Sequence, residues 1–177
     1  MAALTAKQLI IKKYAEKYEL HILVETGTLY GDTIDAMKDL FDQIYSIELD
    51  DVLYNDARKR FAPFTHIEII HGDSGEELCA LLERIDSPVL FWLDGHYSGG
   101  DTARGKTDTP ILAELSCIFS AADLGHVILI DDAYCFGAYF AYPNITELTA
   151  FIKSKRTNTD IVVENNIIQV IRTKKII

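Results

Sequence analysis

Positive charge is what this chain has least of. Its 17 lysines and arginines face 27 aspartates and glutamates, a formal net charge of −10. That balance argues against a protein built to neutralise nucleic-acid phosphates. The two basic clusters, Lys153-Ser-Lys-Arg156 and Arg172-Thr-Lys-Lys175, fall near the ends of expected elements and read as solvated polar edges. Cysteine is scarce too. Cys79, Cys117 and Cys135 are odd in number, widely spaced and without a Cys-x-x-Cys pair. Neither a disulfide framework nor a zinc site is expected, and the thiols read as buried ones in a reducing compartment. No apolar run approaches the length needed to cross a bilayer. Lys7, Lys12 and Lys13 stand in an amphipathic pattern where a signal peptide would need an apolar core. Internal repeats, linkers and low-complexity tracts are missing as well. What remains is one cytoplasmic domain over residues 1–177, 49% hydrophobic and able to bury a substantial core.

Apolar runs and helical periodicities alternate through that domain. An amphipathic lead-in helix within residues 1–20, from Thr5 to Tyr18, is placed to pack on a sheet or roof a site. The strand Ile22-Leu-Val24 precedes a helix from Asp32 to Phe41, and the strand Ile44–Leu49 a helix from Asp50 to Phe61. The strand His66–His71 leads to Ser74-Gly-Glu-Glu77, which has the Ser-x-x-Glu form of a capping box and opens a helix through Leu82. Val89-Leu-Phe-Trp-Leu93 is apolar throughout, as a central strand buried on both faces must be. After a glycine-rich loop from His96 to Asp108, Thr109-Pro110 supplies a cap and a proline at the first helical position. That helix runs to Ala121, and the buried strand Val127–Ile130 follows. A second capping box, Asn144-Ile-Thr-Glu147, starts a helix to Ser154. Ile161–Val163, a turn at Glu164-Asn-Asn166 and Ile167–Ile171 then close the chain as a β-hairpin. The pattern specifies an α/β fold: a Rossmann-like, doubly wound, mostly parallel sheet with a C-terminal antiparallel hairpin.

In such sheets ligands bind beyond the carboxyl ends of the strands, so the residues there carry the functional signal. The first strand ends in Glu25-Thr-Gly-Thr-Leu-Tyr-Gly31. Gly27 allows a sharp turn and close approach to a ligand, Gly31 allows a helix to pack tightly, and Asp32 or Thr33 is placed to cap that helix. Thr28 lies within the turn. A helix N-terminus over a crevice is how such proteins hold nucleotides. The other strand ends are acidic: Glu48, Gly72-Asp73, Asp94 and Asp131-Asp132. Glu48, some twenty residues beyond the glycine turn, is positioned to accept both hydroxyls of a ribose, with Asp73 and Ser74 placed for the adenine amine and ring edge. Asp73 is also a candidate helix cap. The turn holds no lysine or arginine, which points away from a pyrophosphate and toward a nucleoside of modest or positive charge. S-adenosylmethionine fits, its sulfonium and ammonium facing Glu25 and Asp94.

These residues carry a resemblance. Glu25-Thr-Gly-Thr-Leu-Tyr-Gly31, Tyr45-Ser-Ile-Glu48, His71-Gly-Asp-Ser74 and Phe91-Trp-Leu-Asp-Gly-His96 look like the successive motifs of class I S-adenosylmethionine-dependent methyltransferases. Leu93-Asp-Gly-His96 with Ile130-Asp-Asp132 resembles most the metal-dependent O-methyltransferases, of the catechol type and of the macrocin type that acts on sugars. The resemblance spans Leu23 to Asp132, and the closing hairpin is similar to the family's reversed last strand. It implies that Asp94, Asp131 and Asp132 hold Mg²⁺ or another divalent cation. Catechol-type enzymes have Asp-Asn where this chain has Asp131-Asp132, and their lysine base has no clear match here. His96 is the candidate base, as in the sugar enzymes.

The chemistry wants these groups. Methyl transfer from a sulfonium needs an activated acceptor oxygen, and a hard cation on carboxylates lowers that oxygen's pKa and fixes its position. With Asp94 beside it, His96 is placed to take the proton near neutral pH. His21, His66, His71 and His126 read as structural. Residues 97–106 form a candidate lid in which Arg104 or Lys106 would meet an anionic acceptor, and Tyr134, Phe136, Tyr139, Phe140 and Tyr142 are candidates for an acceptor wall. The expected function is an O-methyltransferase for a small hydroxyl acceptor such as a sugar or natural-product intermediate, working alone or as a homodimer. Two alternatives share the pocket: a non-methylating, hydroxylase-like metal enzyme, and a non-catalytic S-adenosylmethionine-binding module.

Overall fold

Val89–Leu93 forms β4, the middle of a seven-stranded sheet, with every residue buried. The computed structural model describes residues 3–95 and 109–173. His96 and the expected lid, with Arg104 and Lys106, lie outside the described residues. The elements run α1 (Ala6–Tyr18), β1 (Ile22–Thr26), α2 (Asp32–Met37), β2 (Gln43–Glu48), α3 (Asp51–Phe61), β3 (Ile67–His71), α4 (Ser74–Leu82) and β4. They continue with α5 (Ile111–Ser120), β5 (Val127–Ile130), a single 3₁₀ turn (Ala133–Cys135), α6 (Ile145–Lys155), β6 (Thr159–Glu164) and β7 (Ile167–Arg172). The sheet order is β3-β2-β1-β4-β5-β7-β6. The first five strands are parallel, while β7 runs antiparallel to both β5 and β6. This is the expected doubly wound sheet with its reversed ending. No helix among the described residues is long and apolar enough to cross a membrane.

The alternation of β4 divides the core. Val89, Phe91 and Leu93 face Leu78 and Leu82 of α4, Leu115 and Ile118 of α5 and Ile152 of α6. Leu90 and Trp92 face Ile11 of α1, Ile34 and Met37 of α2 and Phe61 of α3. A strand with both neighbours parallel and helices on both faces must be apolar at every position. The order reverses between β1 and β4, and in such sheets ligands bind at that reversal beyond the strands' carboxyl ends.

Several local expectations are corrected. Cys79 and Cys117 are joined in a disulfide that ties α4 to α5, leaving Cys135 as the free, buried cysteine. The partners lie 38 residues apart in sequence and meet only because the two helices pack side by side, so spacing gave no sign of them. The inference of a reducing compartment loses that support. The N-cap of α4 is Asp73, whose carboxylate accepts from Gly75 N; Ser74 is already inside the helix. Gly31, in the left-handed region at φ 77°, precedes α2 without any side-chain cap, so neither Asp32 nor Thr33 plays that part. Asp32 instead pairs with Arg60, and α2 ends at Met37, short of Phe41. Pro110 takes the N-cap of α5 and the helix begins at Ile111. Arg156 is no solvated edge. Its guanidinium pairs with Asp123 at 2.6 Å and donates to the carbonyls of Ile118 and Ala121, where α5 ends.

Other expectations hold. Asn144 and Glu147 form the reciprocal box at the start of α6. Asn165 and Asn166 both take positive φ between β6 and β7, the geometry a tight hairpin turn demands. His126 is buried with Nδ1 accepting from Val89 N and Nε2 donating to Ala122 O, a structural histidine.

Candidate functional site

Register carries the acidic residues to one rim. Glu25 stands level with Ser46 on β2 and Trp92 on β4, and Asp94 and Asp131 follow the last residues of adjacent parallel strands. Backbone ladders continue one step past the strands: Asp94 N donates to Thr26 O, Asp131 N to Leu93 O and Gly27 N to Ile47 O. The carboxylates are thereby fixed by sheet geometry.

The glycine turn is shaped by that neighbour. A Cβ at Gly27, at φ 80°, would lie 2.6 Å from the Asp94 carbonyl oxygen, so the close approach here is backbone to backbone. A Cβ on Gly31 would meet the Phe61 ring at 2.6 Å, the tight helix packing that glycine permits. Within the turn, Thr28 shares a 2.6 Å hydrogen bond with Ser46, and Ser46 donates to Glu25 at 2.7 Å. Glu25 is almost wholly buried. Burial pushes its pKa up to about 8, against the opposing pull of hydrogen bonds from Ser46 and Thr33. Glu48, also buried, accepts from Leu29 N at 2.8 Å on one oxygen and from Asp50 N at 2.9 Å on the other. It braces the turn from β2, and each oxygen keeps a lone pair for a further donor.

At the next strand end the expected adenine contacts are already engaged within the chain. Asp73 caps α4, and the Ser74 hydroxyl donates to Glu114 of α5 at 2.6 Å. Glu114 was not singled out from the sequence. It is fully buried, and burial pushes its pKa up to about 7, opposed by the Ser74 hydrogen bond and the nearby Thr26 hydroxyl. Among the described residues the Thr26 hydroxyl has no hydrogen-bond partner, although it still pulls the Glu114 pKa downward.

The cluster foreseen as a cation site is assembled. Asp94, Asp131 and Asp132 each present a carboxylate oxygen, and the three oxygens lie within 4.8 Å of one another. Burial first, and then the charge of Asp131, push the Asp94 pKa up to about 8. Asp132 adopts the left-handed region at φ 50°, an unusual conformation for a residue with a side chain. Asn166 of the hairpin turn holds it there, donating to the Asp132 carboxylate at 3.1 Å and accepting from Tyr134 N at 2.9 Å. A cation already reaches the cluster. Lys7, from the first turn of α1, hydrogen-bonds Asp131 and lies 3.5 Å from Asp132. Partial burial alone would lower its pKa, but the hydrogen bond and the surrounding carboxylates together raise it, so the ammonium stays charged. Neither Lys7 nor Asn166 carried a sequence signal, since both act across more than thirty residues.

The aromatic stretch divides. Phe136 is buried and Tyr142 half-buried, and both line a crevice of about 10 Å³ beside Asp131 and Glu114. Tyr134, Tyr139 and Phe140 face outward.

By sequence, no family model and no curated protein matches the chain. Solved structures do. The O-methyltransferase TomG of Streptomyces achromogenes, in complex with SAM, superimposes with a TM-score of 0.67 at 15% identity, covering 98% of this chain and 82% of that one. An O-methyltransferase from Bacillus cereus in complex with SAH gives 0.68 at 12%, covering 97% and 83%. A putative rRNA methylase from Clostridium thermocellum gives 0.63 at 13%, covering 96% and 97%. The fold is that of the class I methyltransferases. In this methyltransferase fold the rim formed by Glu25, Glu48 and the aspartate cluster lies at the reversal of strand order.

Proposed function

We propose that the protein is an S-adenosylmethionine-dependent O-methyltransferase for a small hydroxylated acceptor, such as a sugar or natural-product intermediate, assisted by Mg²⁺ or another divalent cation. The observation that carries this reading is the placement of three clustered carboxylates, Asp94, Asp131 and Asp132, on the same rim as Glu25 and Glu48. The donor set suits the ion. All three ligands are hard oxygens, which favour Mg²⁺ over Zn²⁺, and an ammonium already stands among them.

Each group then has a task. Glu48 takes the ribose hydroxyls while bracing the Gly27–Gly31 turn. Glu25 and Asp94 face the sulfonium and ammonium of the same ligand, and Thr28 fixes Ser46 and through it Glu25. Asp73 and Ser74 border the adenine end. Asp94, Asp131 and Asp132 would hold the divalent ion, which when bound lowers the acceptor's hydroxyl pKa, and S-adenosylmethionine when bound supplies the methyl group. His96, two residues beyond Asp94, is the base that takes the proton. Phe136 and Tyr142 wall the acceptor side.

The partner in this reading is the small acceptor, taken up by the chain alone or as a homodimer. The net charge of −10 weighs against RNA as acceptor. A cytoplasmic location belongs to the proposal; the Cys79–Cys117 bond weighs against it, and alkylation trapping of thiols in freshly lysed cells decides. Calorimetry with S-adenosylhomocysteine, followed by transfer of a labelled methyl group to a panel of catechols and sugars with and without Mg²⁺, tests the function. Failure to bind S-adenosylhomocysteine removes it.

A further inference from the structure

We infer that Lys7 is a tethered cation occupying the place of the divalent ion, so that metal enters the Asp94–Asp131–Asp132 cluster only when Lys7 leaves. The inference rests on the cation-site part of the proposed function. Its ground is geometric. The Lys7 ammonium hydrogen-bonds Asp131 and approaches Asp132 to 3.5 Å, within a set of carboxylate oxygens that span no more than 4.8 Å. A divalent ion on those oxygens would sit roughly 2.0–2.6 Å from each. An ammonium and a dication at such separation repel strongly, and the two cannot share the same oxygens.

The helix carrying Lys7 is built to let the side chain go without itself coming undone. Thr5 and Gln8 close a reciprocal box around its first turn. Ile11 is wholly buried, and the buried Tyr14 hydroxyl donates to Gln169 on β7. Lys7, by contrast, keeps 47% of its side chain in solvent, so rotation about its own χ angles carries the ammonium into water while α1 stays docked. Lys7 therefore offsets part of the cluster's charge in the metal-free protein and weakens it toward metal, raising the metal concentration at which the site half-fills. An α1 position thus sets the metal response of a site built from β4 and β5.

The test uses the full chain and Mn²⁺, with free ion counted by paramagnetic resonance, in the native protein, Lys7→Met and Lys7→Arg. Lys7→Met should bind Mn²⁺ on the order of tenfold more tightly or better, and Lys7→Arg should stay near the native value. In the native protein, the rate at which an amine-acylating reagent labels Lys7, followed by mass spectrometry, should rise several-fold on saturation with Mn²⁺. Equal or weaker binding by Lys7→Met, an unchanged labelling rate, or no Mn²⁺ binding by any form overturns the inference. S-adenosylhomocysteine affinity, measured on the same samples, separates the two ideas. Its absence sinks the methyl-transfer reading and leaves a Lys7 effect standing, whereas normal affinity with no Lys7 effect does the reverse.

Discussion

Ser74, the first residue of α4, donates to Glu114 in the first turn of α5 at 2.6 Å, with both groups buried. The bond joins two helices beneath the rim, and the carboxyl it meets keeps its proton up to about pH 7.

The sign of the resulting pH dependence follows. Folded Glu114 holds its proton to about pH 7, whereas in the unfolded chain it would release it near 4.5. Its contribution to stability is therefore complete below 4.5 and is lost as pH rises through 7, and Glu25 adds the same trend up to about 8. Glu114→Gln keeps the shape and an acceptor for Ser74 without the ionisation. Urea titrations between pH 5 and 7 should show a stability slope shallower by about 1 kcal/mol per pH unit. An identical slope would show that Glu114 ionises normally. His126, whose pKa burial lowers, works in the opposite sense, with stability lost as pH falls below 6.5, and it is unchanged in the variant.

Glu48→Gln retains an oxygen for one of the two backbone donors, Leu29 N or Asp50 N, but gives up the negative charge and one acceptor. A hydrogen bond to a charged group contributes about 1.5–3 kcal/mol, so S-adenosylhomocysteine affinity should fall roughly 10- to 100-fold by calorimetry. An unchanged affinity would remove Glu48 from the ribose.

Gly27→Ala sets a Cβ 2.6 Å from the Asp94 carbonyl oxygen at a φ of 80°. Neither the backbone of β4 nor that of the turn has a flexible end to give, so about 1–3 kcal/mol of stability should be lost, seen as a lower urea midpoint.

The Cys79–Cys117 bond closes a 38-residue separation. Reduction, or Cys79→Ser with Cys117→Ser, should cost about 3–4 kcal/mol. Dithiothreitol should lower Tm in the native chain and do nothing further to the double variant. Insensitivity of the native chain would show that the bond is not formed in solution.

What the sequence makes legible is whatever is written locally. The continuous apolar runs of β4 and β5 announce buried parallel strands, and because every parallel strand ends at the same edge, the acids after them could be placed without coordinates. Asn144 and Glu147 lie three apart and cap as a pair. Asp73 and Ser74 show the limit of that reasoning: adjacent capping residues compete for one position, and the pull of Glu114 on Ser74 decides it from another helix. Lys7, Glu114 and Asn166 were unreadable for a common reason. Each looks like an ordinary surface residue of its own element and gains its role only when a distant strand end comes alongside.

Asn166 gives the site an order of birth. The side chain that holds Asp132 in its left-handed twist is synthesised 34 residues after it, in the turn of the last hairpin. A nascent chain emerging N-terminus first can lay down β1 through β5 with every acidic residue of the rim present. The aspartate pair is left unclamped until β7 slots between β5 and β6, so the geometry of the cluster is complete only with the final strand.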